Sequence, residues 1–229
     1  MSRIALVTGA NRGIGKEVCL QLAQAGCHTL LSARDREKAE AAVNDLGHDR
    51  IYPLQLDVTD EASVKQARDA VARQYGVLDV LVNNAGGHYD YWQTALEADF
   101  STVREAAETN LYGPWRVTSA FAPLLKKSER PRIVNVSSGA AALSSLGAGP
   151  PAYIASKAAL NALTRMLAAE LKEDGALVNA VCPGWVATDP NNPGGRPIPE
   201  GAAGIVWAAT LPDDGPTGGF FRDEQPLDW

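Results

Sequence analysis

The chain has 229 residues, 45% of them hydrophobic, with 21 glycines spread along its length, enough for one substantial core, so a single domain is expected. A net charge of −6 and a pI near 5.1 argue against a surface built for nucleic acid or anionic lipid. No apolar stretch approaches membrane-spanning length and the N-terminus lacks the layout of a signal peptide, so a cytoplasmic protein is expected. Cys19, Cys27 and Cys182 have no CxxC spacing and read as small core residues. His28, His48 and His88 show no HxxxH arrangement, and no metal site is expected.

Residues 3–8 read as a buried strand, followed by GANRGIG and an amphipathic helix ending at Gly26. Gly9, Gly13 and Gly15 thus lie between a strand and a helix, the setting in which glycines let the backbone approach a pyrophosphate at a helix N-terminus. A second strand, CHTLLSAR, a polar helix from about Arg36 to Leu46 and a third strand, IYPLQLDV, continue the alternation expected of βαβ units. At the end of the second strand, where an acid would bind a ribose 2′-hydroxyl, stands Arg34. Arg34, with Arg12 in the glycine turn, suits a 2′-phosphate and favours NADP over NAD. Asp35 is placed either to pair with Arg34 or to cap the next helix.

Thr59 and Asp60 start a helix to about Tyr75, and a strand from Leu78 ends in Asn83-Asn84-Ala85-Gly86-Gly87. Small and amide residues there suit the ligand crevice of an open α/β sheet. His88, Tyr89, Tyr91 and Trp92 either line a pocket for an apolar or aromatic substrate or pack a loop against the fold. A long helical pattern from about Phe100 to Leu125 contains Asn110 and is interrupted at Gly113-Pro114. The strand RIVNVSS ends in Ser137 and Ser138; its Asn135 sequon lies in a core strand and would not be modified.

Residues 152–172 form the most strongly helical run and place Tyr153 and Lys157 four residues apart, on one face. An ammonium beside a phenol favours the phenolate and lowers its pKa. A sixth strand ends in Pro183-Gly184, followed by Trp185, Val186 and Thr188. The stretch from Asp189 to Glu200 carries four Pro and two Gly, excludes a helix or central strand, and is either a substrate lid or a connector. A last helix, GAAGIVWAATL, and a short strand with a tail close the chain. The whole reads as an α/β single domain over 1–229: a doubly wound Rossmann-type parallel sheet of about seven strands with helices on both faces.

In this order Thr8-Gly9-x-x-x-Gly13-x-Gly15, Asn83-Asn84-Ala85-Gly86, Asn110, Ser138, Tyr153-x-x-x-Lys157 and Pro183-Gly184 resemble the short-chain dehydrogenase/reductase family over nearly the whole chain. The ANRGIG, SARD and GGFFRD segments look most like its NADP-dependent carbonyl reductases. The resemblance implies reversible reduction of a ketone or aldehyde with NADP(H) as cofactor. Tyr153 would be the general acid or base, Lys157 would lower its pKa and bind the nicotinamide ribose, Ser138 would stabilise the developing alkoxide, and Asn110 would hold a water. Cofactor contacts would come from Gly9, Asn11, Arg12, Gly13, Ile14, Gly15 and Arg34, from Asp57 and Val58 at the adenine, and from Asn83, Ala85 and Gly86. Tyr153, Lys157, Pro183, Gly184, Val186 and Thr188 complete the set.

Three features depart from the family pattern. The gap from Ser138 to Tyr153 is slightly longer than in its common form, which leaves Ser137 as an adjacent candidate. The much longer insertion of mammalian-type carbonyl reductases in that loop is absent, so a homodimer or homotetramer packed through the helices of Asn110 and Tyr153 is expected. Asp189-Pro190 departs from the more helical segment expected there. Two other functions fit the same fold: an NAD-dependent alcohol or sugar dehydrogenase, against which Arg12 and Arg34 speak, and a non-catalytic nucleotide sensor, which would need no proton donor.

Overall fold

The structure is a computed structural model and describes residues 2–188 and 194–229. Three strand and helix pairs open the chain: β1 (Ile4–Val7) with α1 (Gly13–Gln24), β2 (His28–Ala33) with α2 (Arg36–Leu46), and β3 (Ile51–Gln55) with α3 (Glu61–Gln74). After β4 (Val80–Asn83) come α4 (Phe100–Ala107), a π-helical turn (Glu108–Tyr112), α5 (Gly113–Leu125) and β5 (Arg132–Val136). Two 3-10 turns (Gly139–Ala141 and Leu143–Ser145) lead to α6 (Pro151–Glu170), β6 (Leu177–Val181), α7 (Ile198–Ala209), β7 (Phe220–Arg222) and β8 (Gln225–Pro226).

The strands form one sheet in the order β3-β2-β1-β4-β5-β6-β7-β8. Every pair is parallel except β7 with β8. Alternation along β1 shows why helices cover both faces. Ile4 and Leu6 join the core built with α3, α5 and α6, while Ala5 and Val7 join the core built with α1, α2 and α7. Pro53 is tolerated because β3 is the sheet edge. The eighth strand, beyond the seven expected, arises in the tail: Asp223 and Glu224 adopt positive φ (50° and 65°) and turn the chain back on β7.

Two other expectations are corrected. Gly113-Pro114 does not interrupt the long helix; Pro114 sits in the first turn of α5, where its missing N–H has no helical partner to lose. The irregularity lies just before it, as the π-helical turn that carries Asn110. Likewise α7 begins at Ile198, inside the proline-rich stretch from which a helix was excluded, because Pro199 also falls in a first turn. The lid expected over 189–200 rests in part on 189–193, which lie outside the described residues.

Beneath the central strands runs a chain of buried polar groups. Asn83 Nδ2 donates to Asn135 Oδ1 (2.8 Å) and Thr118 Oγ1 (3.1 Å), and Asn135 Nδ2 donates to Thr164 Oγ1 (2.9 Å). This ladder ties β4 and β5 to α5 and α6 inside an otherwise apolar layer and pairs both amide nitrogens, leaving Asn83 Oδ1 buried without a partner among the described residues. Asn135, at 0% exposure, is closed to modification.

Candidate active site

The parallel course sends the carboxyl ends of β1, β4, β5 and β6 to one edge, and strand order reverses between β1 and β4. A ligand crevice opens at such a reversal. The glycine turn is bolted there by its neighbour strand. Thr8 Oγ1 accepts the N–H of Asn84 and of Ala85 (3.0 Å each), and Asn84 Nδ2 donates to the carbonyls of Thr8 (2.8 Å) and Gly9 (3.1 Å). Gly9 has φ +61° and would place a Cβ 2.7 Å from Ala85 Cα, and a Cβ on Gly15 would lie 2.3 Å from Asn84 Nδ2. Asn84, in the strand-end motif but without an expected role, thus fixes the turn against the end of β4.

Helices α2, α3 and α4 are capped by Asp35, Asp60 and Asp99, which settles Asp35 as a cap. Helix α1 differs: its N-cap residue, Arg12, makes no side-chain capping bond, and no acid stands in its first turn. Its first N–H groups and positive dipole end are left for an anion. Asn11, Arg12 and Gly13 line an open cleft there of about 470 Å³ with Lys16 and Pro199. Arg12 and Arg34 are exposed, and neither pairs with a carboxylate among the described residues. Ile14 packs against the α1 core. Thr188 approaches Gly13, 3.4 Å from where its Cβ would be. Asp57 accepts from the N–H (3.0 Å) and hydroxyl (2.8 Å) of Thr59, and Val58 is buried against Gly113. Val186 pairs with Arg196, and Gly184 turns at φ +78° beside it, with Pro183 partly exposed before it. Asn83 differs from the expectation at the ribose in one respect: its amide nitrogen is committed to the ladder under the sheet.

The predicted catalytic residues converge. Lys157 Nζ donates to the Val136 carbonyl (2.7 Å) and stands 6.0 Å from the Tyr153 ring centroid. Asn110, fully buried, holds the Gly87 backbone from both sides, accepting its N–H (3.0 Å) and donating to its carbonyl (2.9 Å), and also donates to Ser156 Oγ (3.0 Å). Gly86 packs tightly here: a Cβ on it would stand 3.2 Å from both Asn110 Oδ1 and Lys157 Nζ. The two serines separate clearly. Ser138 faces the Tyr153 phenol, whereas the buried Ser137 hydroxyl donates to Asn161 Oδ1 (2.6 Å) on α6. Of the aromatic run, Tyr89 alone is placed on the site: its ring lies 4.5 Å from that of Tyr153 and stacks on Tyr91 at 6.2 Å. His88 turns to Thr109 Oγ1 (3.2 Å), and Trp92 is 75% exposed.

The sequence model of the short chain dehydrogenases matches residues 3–196. The chain belongs to that family. As a short chain dehydrogenase it is 35% identical to a (+)-neomenthol dehydrogenase of Arabidopsis thaliana, over 97% of this chain and 97% of that protein. It is 34% identical to carbonyl reductase [NADPH] 1 of Bos taurus, over 99% and 98% of the two chains. The solved structure of NADPH-bound carbonyl reductase from chicken fatty liver superposes with a TM-score of 0.87 at 29% identity, covering 100% of this chain and 99% of that one. The two sequence matches run over 288 and 280 positions, so both relatives carry segments with no counterpart in this chain.

The electrostatics of this short chain dehydrogenase reverse one expectation. Burial holds the Tyr153 phenol well above its ordinary pKa, Tyr89 pushes the same way, and the Ser138 hydrogen bond opposes them. Lys157, 4% exposed, loses its own proton more easily, its pKa drawn down to about 8 by desolvation. Below that value both folded and unfolded chains carry the charge, and burying it costs stability. As pH rises from about 8 the folded chain releases the proton before the unfolded one, whose lysine titrates near 10.4, so stability rises by up to roughly 3 kcal/mol. Tyr153 acts oppositely above about pH 10, where only the unfolded chain ionises. The urea midpoint of the wild type should therefore climb between pH 8 and about 10 relative to that of Lys157→Met; parallel profiles would contradict the burial of a titrating Lys157.

Proposed function

We propose that this chain reduces a ketone or aldehyde to an alcohol with NADPH, with Tyr153 as the general acid. The observation that carries the reading is the convergence of Tyr153, Ser138 and Lys157 at the sheet edge that also holds the glycine turn and the uncapped end of α1. The chemistry supplied there by a nicotinamide cofactor is hydride transfer to the carbonyl carbon. The chain's part is to hold and deliver protons. At neutral pH the Tyr153 phenol is protonated, as a donor to the carbonyl oxygen must be, and the pKa that burial raises would have to fall as the transition state forms. Ser138 is placed to donate to that oxygen as negative charge develops. Lys157 is a cation under the same site, and Asn110 fixes the strand-end loop beside it. Gly9, Gly13, Gly15, Asn11 and Arg12 would hold the pyrophosphate and its neighbours, Arg34 the 2′-phosphate, and Asp57 the adenine end.

We also read the chain, 1–229, as one dinucleotide-binding domain acting in the cytoplasm on a small-molecule carbonyl. It would assemble as a homodimer or homotetramer through α4 to α6, whose Tyr112, Trp115 and Met166 are exposed; a monomer mass at micromolar concentration would contradict this.

Two substitutions test the assignments. Tyr153→Phe should lower kcat by roughly 10²- to 10⁴-fold, the usual worth of a positioned acid, while leaving NADPH binding nearly unchanged; retained turnover would remove Tyr153 as the donor. Arg34→Asp should weaken NADPH by roughly 10- to 100-fold, the worth of a charge-assisted hydrogen bond, and leave NADH little affected. Equal losses for both cofactors would show that Arg34 does not read the 2′-phosphate.

A further inference from the structure

Residues 86–90 pass the site as a strap that touches three of the four proposed catalytic side chains. Gly86 abuts Asn110 and Lys157, and Gly87 is gripped by the Asn110 amide. His88 holds left-handed backbone, φ 68°, a conformation that a non-glycine residue keeps only when its surroundings fix it. Tyr89 lies on the Tyr153 ring. Asp90 then disappears from solvent, at 0% exposure. Its carboxylate accepts the N–H of Ala152 (2.9 Å) and of Tyr153 (3.1 Å), and Gln93 Nε2 donates to it at 3.1 Å.

Helix α6 cannot cap itself. Its N-cap residue is Pro150 and its first residue Pro151, and no side chain of that segment makes a capping bond. Asp90 supplies from a distant loop what an N-cap aspartate supplies locally: acceptors for the second and third N–H groups and a negative charge at the positive end of the helix dipole. One of those donors is the backbone N–H of Tyr153 itself. Building on the reductase reading, we infer that Asp90 is a positioning residue for proton transfer. It ties the loop beside the site to the first turn of α6, fixing the depth of the Tyr153 phenol against Ser138 and seating Tyr89 over its ring. Asp90 touches no reacting atom; it acts through Tyr153.

The test compares Asp90→Ala and Asp90→Asn in the full chain, the latter keeping one oxygen for one of the two donors. Three quantities are read: amide hydrogen exchange at Ala152 and Tyr153, NADPH affinity by cofactor fluorescence, and kcat and KM with an aryl ketone. Asp90→Ala should speed exchange at those two amides by at least about tenfold, as expected where a cap is lost. It should also lower kcat by at least about tenfold with NADPH affinity within about twofold, since a small misplacement of the donor affects chemistry more than cofactor binding. Asp90→Asn should fall between Asp90→Ala and the wild type. Unchanged exchange or unchanged kcat would overturn the inference. So would a parallel fall in kcat, NADPH affinity and thermal midpoint, the signature of a general structural role. If the wild type reduces no carbonyl, the reductase reading fails, and the exchange measurement alone decides whether Asp90 tethers α6.

Discussion

The site depends first on the bonding between Thr8 and Asn84 across the reversal of strand order. A parallel sheet whose strand order reverses between β1 and β4 leaves a crevice there, and a chain with only glycines at that point would be free to collapse into it or splay from it. One hydroxyl accepting two backbone N–H groups, and one amide donating to two carbonyls, hold the turn open at a fixed width. The bare Cα atoms of Gly9 and Gly15 follow from that closeness, since a methyl on either would meet Ala85 or Asn84. With the turn fixed, the free end of α1 points at one place, and the residues at the ends of β4, β5 and β6 are set around it.

The second constraint is burial. Tyr153 and Lys157 are both nearly withdrawn from water, so each resists its charged form, and the pair does not behave as a solvated phenol and ammonium would. The lysine is held by a backbone carbonyl rather than by a carboxylate, which keeps it oriented without neutralising it. Ser138 is the one neighbour that favours the phenolate, and under the proposed reduction it would also meet the developing alkoxide.

Much of this was legible in the sequence because it rests on local rules. Strand, glycine turn and helix follow from residue type and period, and the Tyr153 and Lys157 spacing fixes a shared helix face. What the sequence hid depends on which groups the fold brings together. Asn83 and Asn84 are adjacent and alike, yet one donates under the sheet and the other locks the glycine turn. Ser137 and Ser138 are separated only by the direction each takes at the end of β5. Gly113-Pro114 reads as a break from residue type alone, but Pro114 stands in the first turn of α5, where it costs no hydrogen bond. Asp90 carried no signal: an aspartate in an aromatic loop becomes a helix cap only once α6, with two prolines at its start, is laid against it. The Tyr153 pKa is hidden for the same reason, since pair spacing reports proximity and not the burial that raises it.

The central claim is that one sheet edge combines a 2′-phosphate-reading nucleotide site with a proton donor for a carbonyl. The most direct measurement is the rate of NADPH oxidation, with NADH in parallel, against a panel of aliphatic and aromatic ketones and aldehydes. Carbonyl-dependent turnover that prefers NADPH is expected. Firm NADPH binding without turnover of any carbonyl, or turnover that prefers NADH, would contradict it.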